Sequence, residues 1–182
     1  MKTIKLLAIL FISSLTFTAC SGNDDDHSGD DHSEEELITT VTYTLTGPNT
    51  VVMTFTDLDG DGGAAPTITV SGDLVANTSY TGSLVLLNET ESPAEDITAE
   101  ISAEADEHEF FFTNTLGLTI TKTDVDSGNN PLGLSTTIDT GSAGTGSLTV
   151  VLKHEPKKPN NGTVADAGGN TDVEVTFDVT VQ

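Results

Sequence analysis

Arginine and tryptophan are absent from the chain, and cysteine occurs once, at Cys20. A single thiol can form no intrachain disulfide, so the fold must hold without a covalent staple. With no arginine, Lys and Arg total 6 against 29 acidic residues, and the formal net charge is -23. Nucleic-acid binding relies on Lys and Arg at the phosphates, so this polyanion is not expected to have a nucleic-acid partner. Also missing is any apolar run near the roughly 20 residues needed to cross a bilayer core of about 30 Å. There is no Gly-x-Ser-x-Gly elbow, and Gly141-Ser142-Ala143-Gly144-Thr145-Gly146 leads into a strand pattern without the lysine of a phosphate loop. Nucleophilic catalysis therefore has no basis in the sequence, no catalytic residues are assigned, and the chain is not expected to be an enzyme.

The start of the chain has its own logic. Lys2 and Lys5 precede an apolar stretch from Leu6 to Leu15, and Ala19 stands before Cys20. This is the order of a signal peptide, here residues 1–19, ending at a lipoprotein cleavage site in which Phe17 stands where leucine is preferred. Cys20 is the expected lipidation residue, and acyl chains on it would make a soluble domain a membrane-anchored one. Removal of the leader leaves 163 residues and, with Lys2 and Lys5 gone, a charge of -25. From Ser21 to Glu36 the chain carries Asp24, Asp25, Asp26, Asp30, Asp31, Glu34, Glu35 and Glu36 with no lysine. Like charges extend such a segment and no apolar residue collapses it. Residues 20–36 therefore read as a lipidated, acidic, disordered tether, with Ser21, Asp24, Asp25 and Asp26 as its export signal and His27 and His32 as parts of a solvated spacer. The expected location is the outer membrane, facing the exterior.

Residues 37–182 show a different pattern, rich in threonine and alternating with period two. Val41, Tyr43 and Leu45 share one face of a strand, Gly47-Pro48-Asn49 supplies a turn, and Val51, Met53 and Phe55 form the returning strand. Further rows are Ile68 with Val70; Tyr80 with Leu84 and Leu86; Phe110 with Phe112; Leu116 with Leu118 and Ile120; and Leu148 with Val150 and Leu152. In the last row, Val173, Val175, Phe177, Val179 and Val181 alternate with Asp172, Glu174, Thr176, Asp178 and Thr180. Short alternating strands between Gly, Asn, Asp and Pro turns predict a mainly β fold: one antiparallel, immunoglobulin-like β-sandwich domain. Ser92-Pro93-Ala94-Glu95 matches a capping box, and Ala94, Ile97, Ile101 and Ala105 recur at helical spacing. One short crossover helix is expected from Pro93 to about Ala105. Its far end is crowded by Glu104, Asp106, Glu107 and Glu109, against the preference of a helix C-terminus for cations.

Two constellations carry candidate chemistry. Asp57-Leu58-Asp59-Gly60-Asp61-Gly62 spaces three carboxylates like the first half of a calcium loop, but Ile68 occupies the position where an EF-hand has its bidentate glutamate. Calcium at Asp57, Asp59 and Asp61 is thus one expectation, with a Gly/Asp-rich turn as the competing reading. The other constellation is a pair of histidines. By alternation, His108 and His154 each end an apolar row, which places both at a rim of the core. With Glu107, Glu109 or Glu155 supplying oxygen, they form a candidate site for zinc or another divalent transition metal. The competing reading is two unrelated strand-end histidines, since no short-spaced ligand motif is present.

Several segments together carry a resemblance: Cys20-Ser21-Gly22-Asn23-Asp24-Asp25-Asp26, Asp57 to Gly63, Leu87 to Ile97, Asp106-Glu107-His108, Thr140 to Leu148 and Val150 to His154. In these the chain resembles small surface lipoproteins of Bacteroidota-type bacteria that often carry the label "type 1 periplasmic binding fold superfamily protein". The resemblance implies ligand capture beside an outer-membrane transport receptor. The two-lobed fold in that label is not what the residues predict, because βαβ alternation is lacking and the length is about half of what two lobes need. The functional expectation is a membrane-anchored ligand-binding lipoprotein, against the alternative of a structural or adhesive surface module.

Overall fold

The computed structural model describes residues 36–60 and 63–182. The leader, Cys20, Ser21, Asp24, Asp25, Asp26, His27, His32 and Asp61 lie outside the described residues.

Strand β1, Thr40–Thr46, has Val41, Tyr43 and Leu45 fully buried, as its alternation requires. The Gly47-Pro48-Asn49 turn returns the chain as β2, Thr50–Thr56, with Tyr43 opposite Met53 and Leu45 opposite Val51. A short edge strand, β3 (Thr67–Val70), pairs with β2, and β4 (Ser79–Leu87) pairs with the other side of β1. The spatial order β3-β2-β1-β4 is that of a Greek key. The chain then crosses to a second sheet with β5, His108–Asn114, and comes back through β6 (Thr119–Lys122) and β7 (Ser135–Asp139), which extend the first sheet beyond β4. Two long strands, β8 (Gly144–His154) and β9 (Asn170–Val181), complete the second sheet in the order β5-β8-β9.

All these pairings are antiparallel, so the described chain is mainly β, as expected. The two sheets have six and three strands, where a constant-type immunoglobulin domain has four and three. Both feed one apolar core: Tyr43, Leu84 and Ile138 from the first meet Phe110, Leu152 and Phe177 from the second. Each such side chain stabilises the fold by about 1.5–3 kcal/mol on burial.

The connections depart from the sequence pattern in three places. Helix α1 spans Ile97–Ala103 and is capped by the Asp96 side chain rather than by Ser92. The residues before it are held otherwise: Asn88 and Glu95 exchange two backbone hydrogen bonds (3.1 and 3.0 Å), and the Asn88 amide donates to the Glu95 carboxylate. This closes a loop that keeps Glu95 out of a helix. Leu116 lies in a turn rather than a strand, because the Asn114 side chain accepts from the N–H groups of Leu116 and Leu118. A second helix, the single turn α2 (Val164–Ala167), is capped by Thr163. At the acid-crowded end of α1 the missing cation comes from Lys158, whose Nζ donates to the carbonyls of Ala105 and His108, both at 2.6 Å, and to Asp126 at 3.1 Å.

Within the core, Tyr43 Oη and Thr136 Oγ1 are hydrogen-bonded at 2.6 Å, and Gly82 lies beneath them. A Cβ on Gly82 would sit 2.8 Å from the Tyr43 hydroxyl and ring, and against Thr136 Oγ1. Gly82→Ala should therefore lower stability by about 1–3 kcal/mol, the usual cost of overpacking. It would be read as a lower urea midpoint at constant slope; an unchanged midpoint would show that the pair does not pack on this glycine.

Candidate metal centre

The pairing of β5 with β8 puts Phe110 opposite Leu152 and, two residues on, His108 opposite His154. Residues two apart on a strand share a face, so both histidines end rows that point into the core. Their rings stack with centroids 4.8 Å apart and an interplanar angle of 28°.

A third donor comes from the neighbouring strand. Along β8 and β9 the register shifts between Leu152 and Lys153: Leu152 faces Val173, but Lys153 faces Thr171. Asp172 is thus the extra residue of a β-bulge. Strict alternation would point it to solvent alongside Glu174. Instead its side chain is fully buried, 4.0 Å from His108 Nε2 through Oδ2 and 4.0 Å from His154 Nδ1 through Oδ1. The fourth donor, Glu36, precedes β1. Its Oε1 lies 2.6 Å from His108 Nε2 and its Oε2 3.9 Å from His154 Nδ1. One ligand atom from each of Glu36, His108, His154 and Asp172 falls within 4.8 Å of all the others.

The two imidazoles are buried, and one of them is oriented by the backbone. His108 Nδ1 lies 3.1 Å from the backbone carbonyl of Glu104, at the end of α1, which favours the proton on that nitrogen and turns Nε2 toward the cluster. His108 Nε2, His154 Nδ1 and Glu36 Oε2 are buried without a hydrogen-bond partner among the described residues, the 2.6 Å approach of Glu36 being a close contact rather than an aligned bond. Leaving such an atom unpaired costs about 1–3 kcal/mol. A tetrahedral zinc with bonds of roughly 2.0–2.2 Å sets its donors about 3.4 Å apart, a closer set than the 4.8 Å within which the four donor atoms lie here.

The carboxylates beside the histidines in sequence lie elsewhere. Glu109 points to the opposite face of β5, where Lys122 Nζ reaches it at 2.5 Å and the Asn160 amide at 2.6 Å. Glu155 is exposed, with a left-handed backbone (φ 50°), and its N–H donates to the Glu107 carbonyl. Glu107 is 58% exposed and stands 4.0 Å from His154 Nε2, the ring nitrogen that faces away from the cluster. The carboxylates that meet the two histidines are Glu36 and Asp172, whereas the expected Glu109 and Glu155 lie elsewhere and Glu107 reaches only the far nitrogen of His154. Strand geometry accounts for this, since immediate neighbours point to opposite faces.

In the candidate calcium loop, Asp57 accepts from the Gly60 N–H (3.0 Å) and Asp59 from the Ala64 N–H (2.9 Å), so both carboxylates cap their own turn. That turn borders a cleft of about 650 Å³ lined by Glu36, Phe55, Asp57, Asp59, Asp172 and Val173 among others. Glu36 and Asp172 of the cluster thus border the same acidic cleft as Asp57 and Asp59. No family model, curated protein or solved structure matches the chain. The functional argument therefore rests on the four side chains themselves.

Titration of Glu36 and His108 has a definite sign. Burial raises the Glu36 pKa, but the contact with His108 outweighs it and holds the carboxyl below its ordinary 4.5. Burial likewise lowers that of His108, and Glu36 outweighs it to leave the imidazole above 6.5. A depressed carboxyl stabilises above its unfolded pKa and loses that contribution as pH falls through the folded value. A raised imidazole stabilises below its unfolded pKa and loses that contribution as pH rises through the folded one. The metal-free pair thus contributes most between 4.5 and 6.5. In chelator, the melting-temperature difference between wild type and Glu36→Gln should be largest near about pH 5.5 and shrink toward pH 8. A difference that grows toward pH 8 would contradict the pairing.

Proposed function

We propose that this protein is an outer-membrane-anchored, exterior-facing lipoprotein that captures a divalent transition metal, with zinc as the first candidate, alongside a transport receptor. The observation that carries the metal reading is the convergence of Glu36, His108, His154 and Asp172 on one buried point. Two imidazoles and two carboxylates, with no thiol or thioether, suit zinc and its first-row neighbours rather than copper(I). Calcium prefers six to eight oxygens, so the histidines disfavour it. Four protein donors also fill a tetrahedral shell, whereas catalytic zinc sites keep one position for water. The arrangement therefore favours binding over turnover. The Glu104 carbonyl supports His108 as the outer partner of a ligating histidine does.

Calorimetry with zinc on the wild-type protein should give one ion per chain. His108→Ala, His154→Ala and Asp172→Ala should each weaken binding by more than the 10–100-fold that loss of an outer-shell partner costs. At a hundred times the dissociation constant, zinc should raise the melting temperature by about 5–10 °C. Affinity should fall with pH as protons compete for the imidazoles, beginning above the ordinary 6.5 because Glu36 raises the His108 value. Equal affinity in all four proteins would reject the site and favour the structural or adhesive alternative.

The anchoring half of the reading rests on Cys20 and the acidic residues after it. Cys20→Ser should release the protein from membranes; a variant that still partitions with lipid after a high-salt wash would reject the anchor.

A further inference from the structure

Three of the four donors belong to one sheet and the fourth does not. His108, His154 and Asp172 stand on β5, β8 and β9, which are hydrogen-bonded neighbours, so the ladder sets their relative positions. Glu36 comes from the segment before β1. There the ladder begins at Thr39, whose N–H donates to the Leu87 carbonyl (3.0 Å) and whose own carbonyl accepts from the Asp57 N–H (2.8 Å). Between Glu36 and that first rung, Leu37 is 56% exposed. Glu36 lines the cleft that borders the cluster, as Asp172 does, but its side chain keeps 7% exposure whereas those of His108 and Asp172 have none. Asp172 is set within a three-stranded sheet; Glu36 is carried by the chain ahead of the first rung, where Ile38 packs against the core and Leu37 does not.

From this geometry we infer that Glu36 is the exchangeable ligand of the centre. It swings aside to admit the ion, closes on it, and governs its release, while the two histidines and Asp172 form the standing part of the site. The inference rests on the metal-capture reading above. It carries a mechanical consequence: an ion bound through Glu36 pins residues 36–38 to the end of the second sheet. Occupancy of the site would therefore hold the chain at Glu36 more firmly than the contact with His108 alone.

A glutamate-specific protease tests this directly, because cleavage after Glu36 requires that its side chain leave the cluster and enter the protease. The full chain would be digested with and without zinc, and cleavage at the Glu36–Leu37 bond followed by mass spectrometry. A free peptide of residues 30–40 controls for any effect of zinc on the protease itself. Zinc should slow cleavage at this bond in the protein at least about tenfold and leave the peptide unaffected. In parallel, release of bound zinc to excess chelator should be at least about tenfold faster in Glu36→Ala, which should still take up one ion on the three remaining donors. Stoichiometric zinc binding with cleavage at Glu36 indifferent to zinc, or with release unchanged in Glu36→Ala, would overturn the exchangeable-ligand inference and leave metal capture standing. Absence of stoichiometric zinc binding to the wild type would overturn both.

Discussion

The register between β5 and β8 is the constraint on which the rest depends. A slip of one residue in a strand turns every side chain to the other face, and here the aromatic and aliphatic rows leave no freedom to slip. Phe110 and Leu152 are opposite one another in the core. Once they are placed, His108 and His154 must stand opposite one another two residues further along, on the same face. The meeting of the two imidazoles is therefore a by-product of hydrophobic pairing: the core fixes them, and no local motif is needed to bring them together.

Other buried charges in the protein sharpen the contrast. Lys158 has its Nζ on two carbonyls and Asp126, and Glu109 accepts from both Lys122 and Asn160. These groups repay their desolvation with several hydrogen bonds each, the condition under which a buried charge is tolerated. The Glu36–His108–His154 group does not, since three of its inward atoms lack aligned partners among the described residues. Among the described residues, these two groups are thus well partnered, in contrast to the inward atoms of Glu36, His108 and His154.

How far the sequence could be read depended on whether the deciding interaction was periodic. The β1–β2 hairpin, the β4 row and the histidines at the ends of β5 and β8 follow from alternation and turn residues, because a half-buried strand must repeat every two residues. Alternation applied strictly would also have set aside Glu107, Glu109 and Glu155, each adjacent to a histidine. β7 carries one buried aliphatic residue, Ile138, and its Thr136 is buried through the Tyr43 hydroxyl, so it offered no apolar row to detect. The bulge at Asp172 and the return of Glu36 are non-local: the first depends on how β9 meets β8, and the second on where the chain before β1 runs relative to β5. Composition grouped Glu36 with the seven carboxylates before it, and nothing in its immediate sequence separates a ligand from a solvated acid.

The strong acidity and the four-donor centre act over different ranges. A surplus of 23 negative charges raises the concentration of any cation near the surface, but exposed charges are screened within about 8 Å at physiological salt and discriminate little among divalent ions. Selectivity needs donors that diffuse acidity cannot provide, namely the imidazoles, and a burial that removes competing water. The cleft between Asp57, Asp59 and the cluster joins the two regimes. In the proposed reading its carboxylates favour arrival of a cation, whereas retention would be set by His108, His154, Asp172 and Glu36. Salt should therefore slow loading far more than it weakens the loaded state, as expected when steering charges and binding charges are different groups.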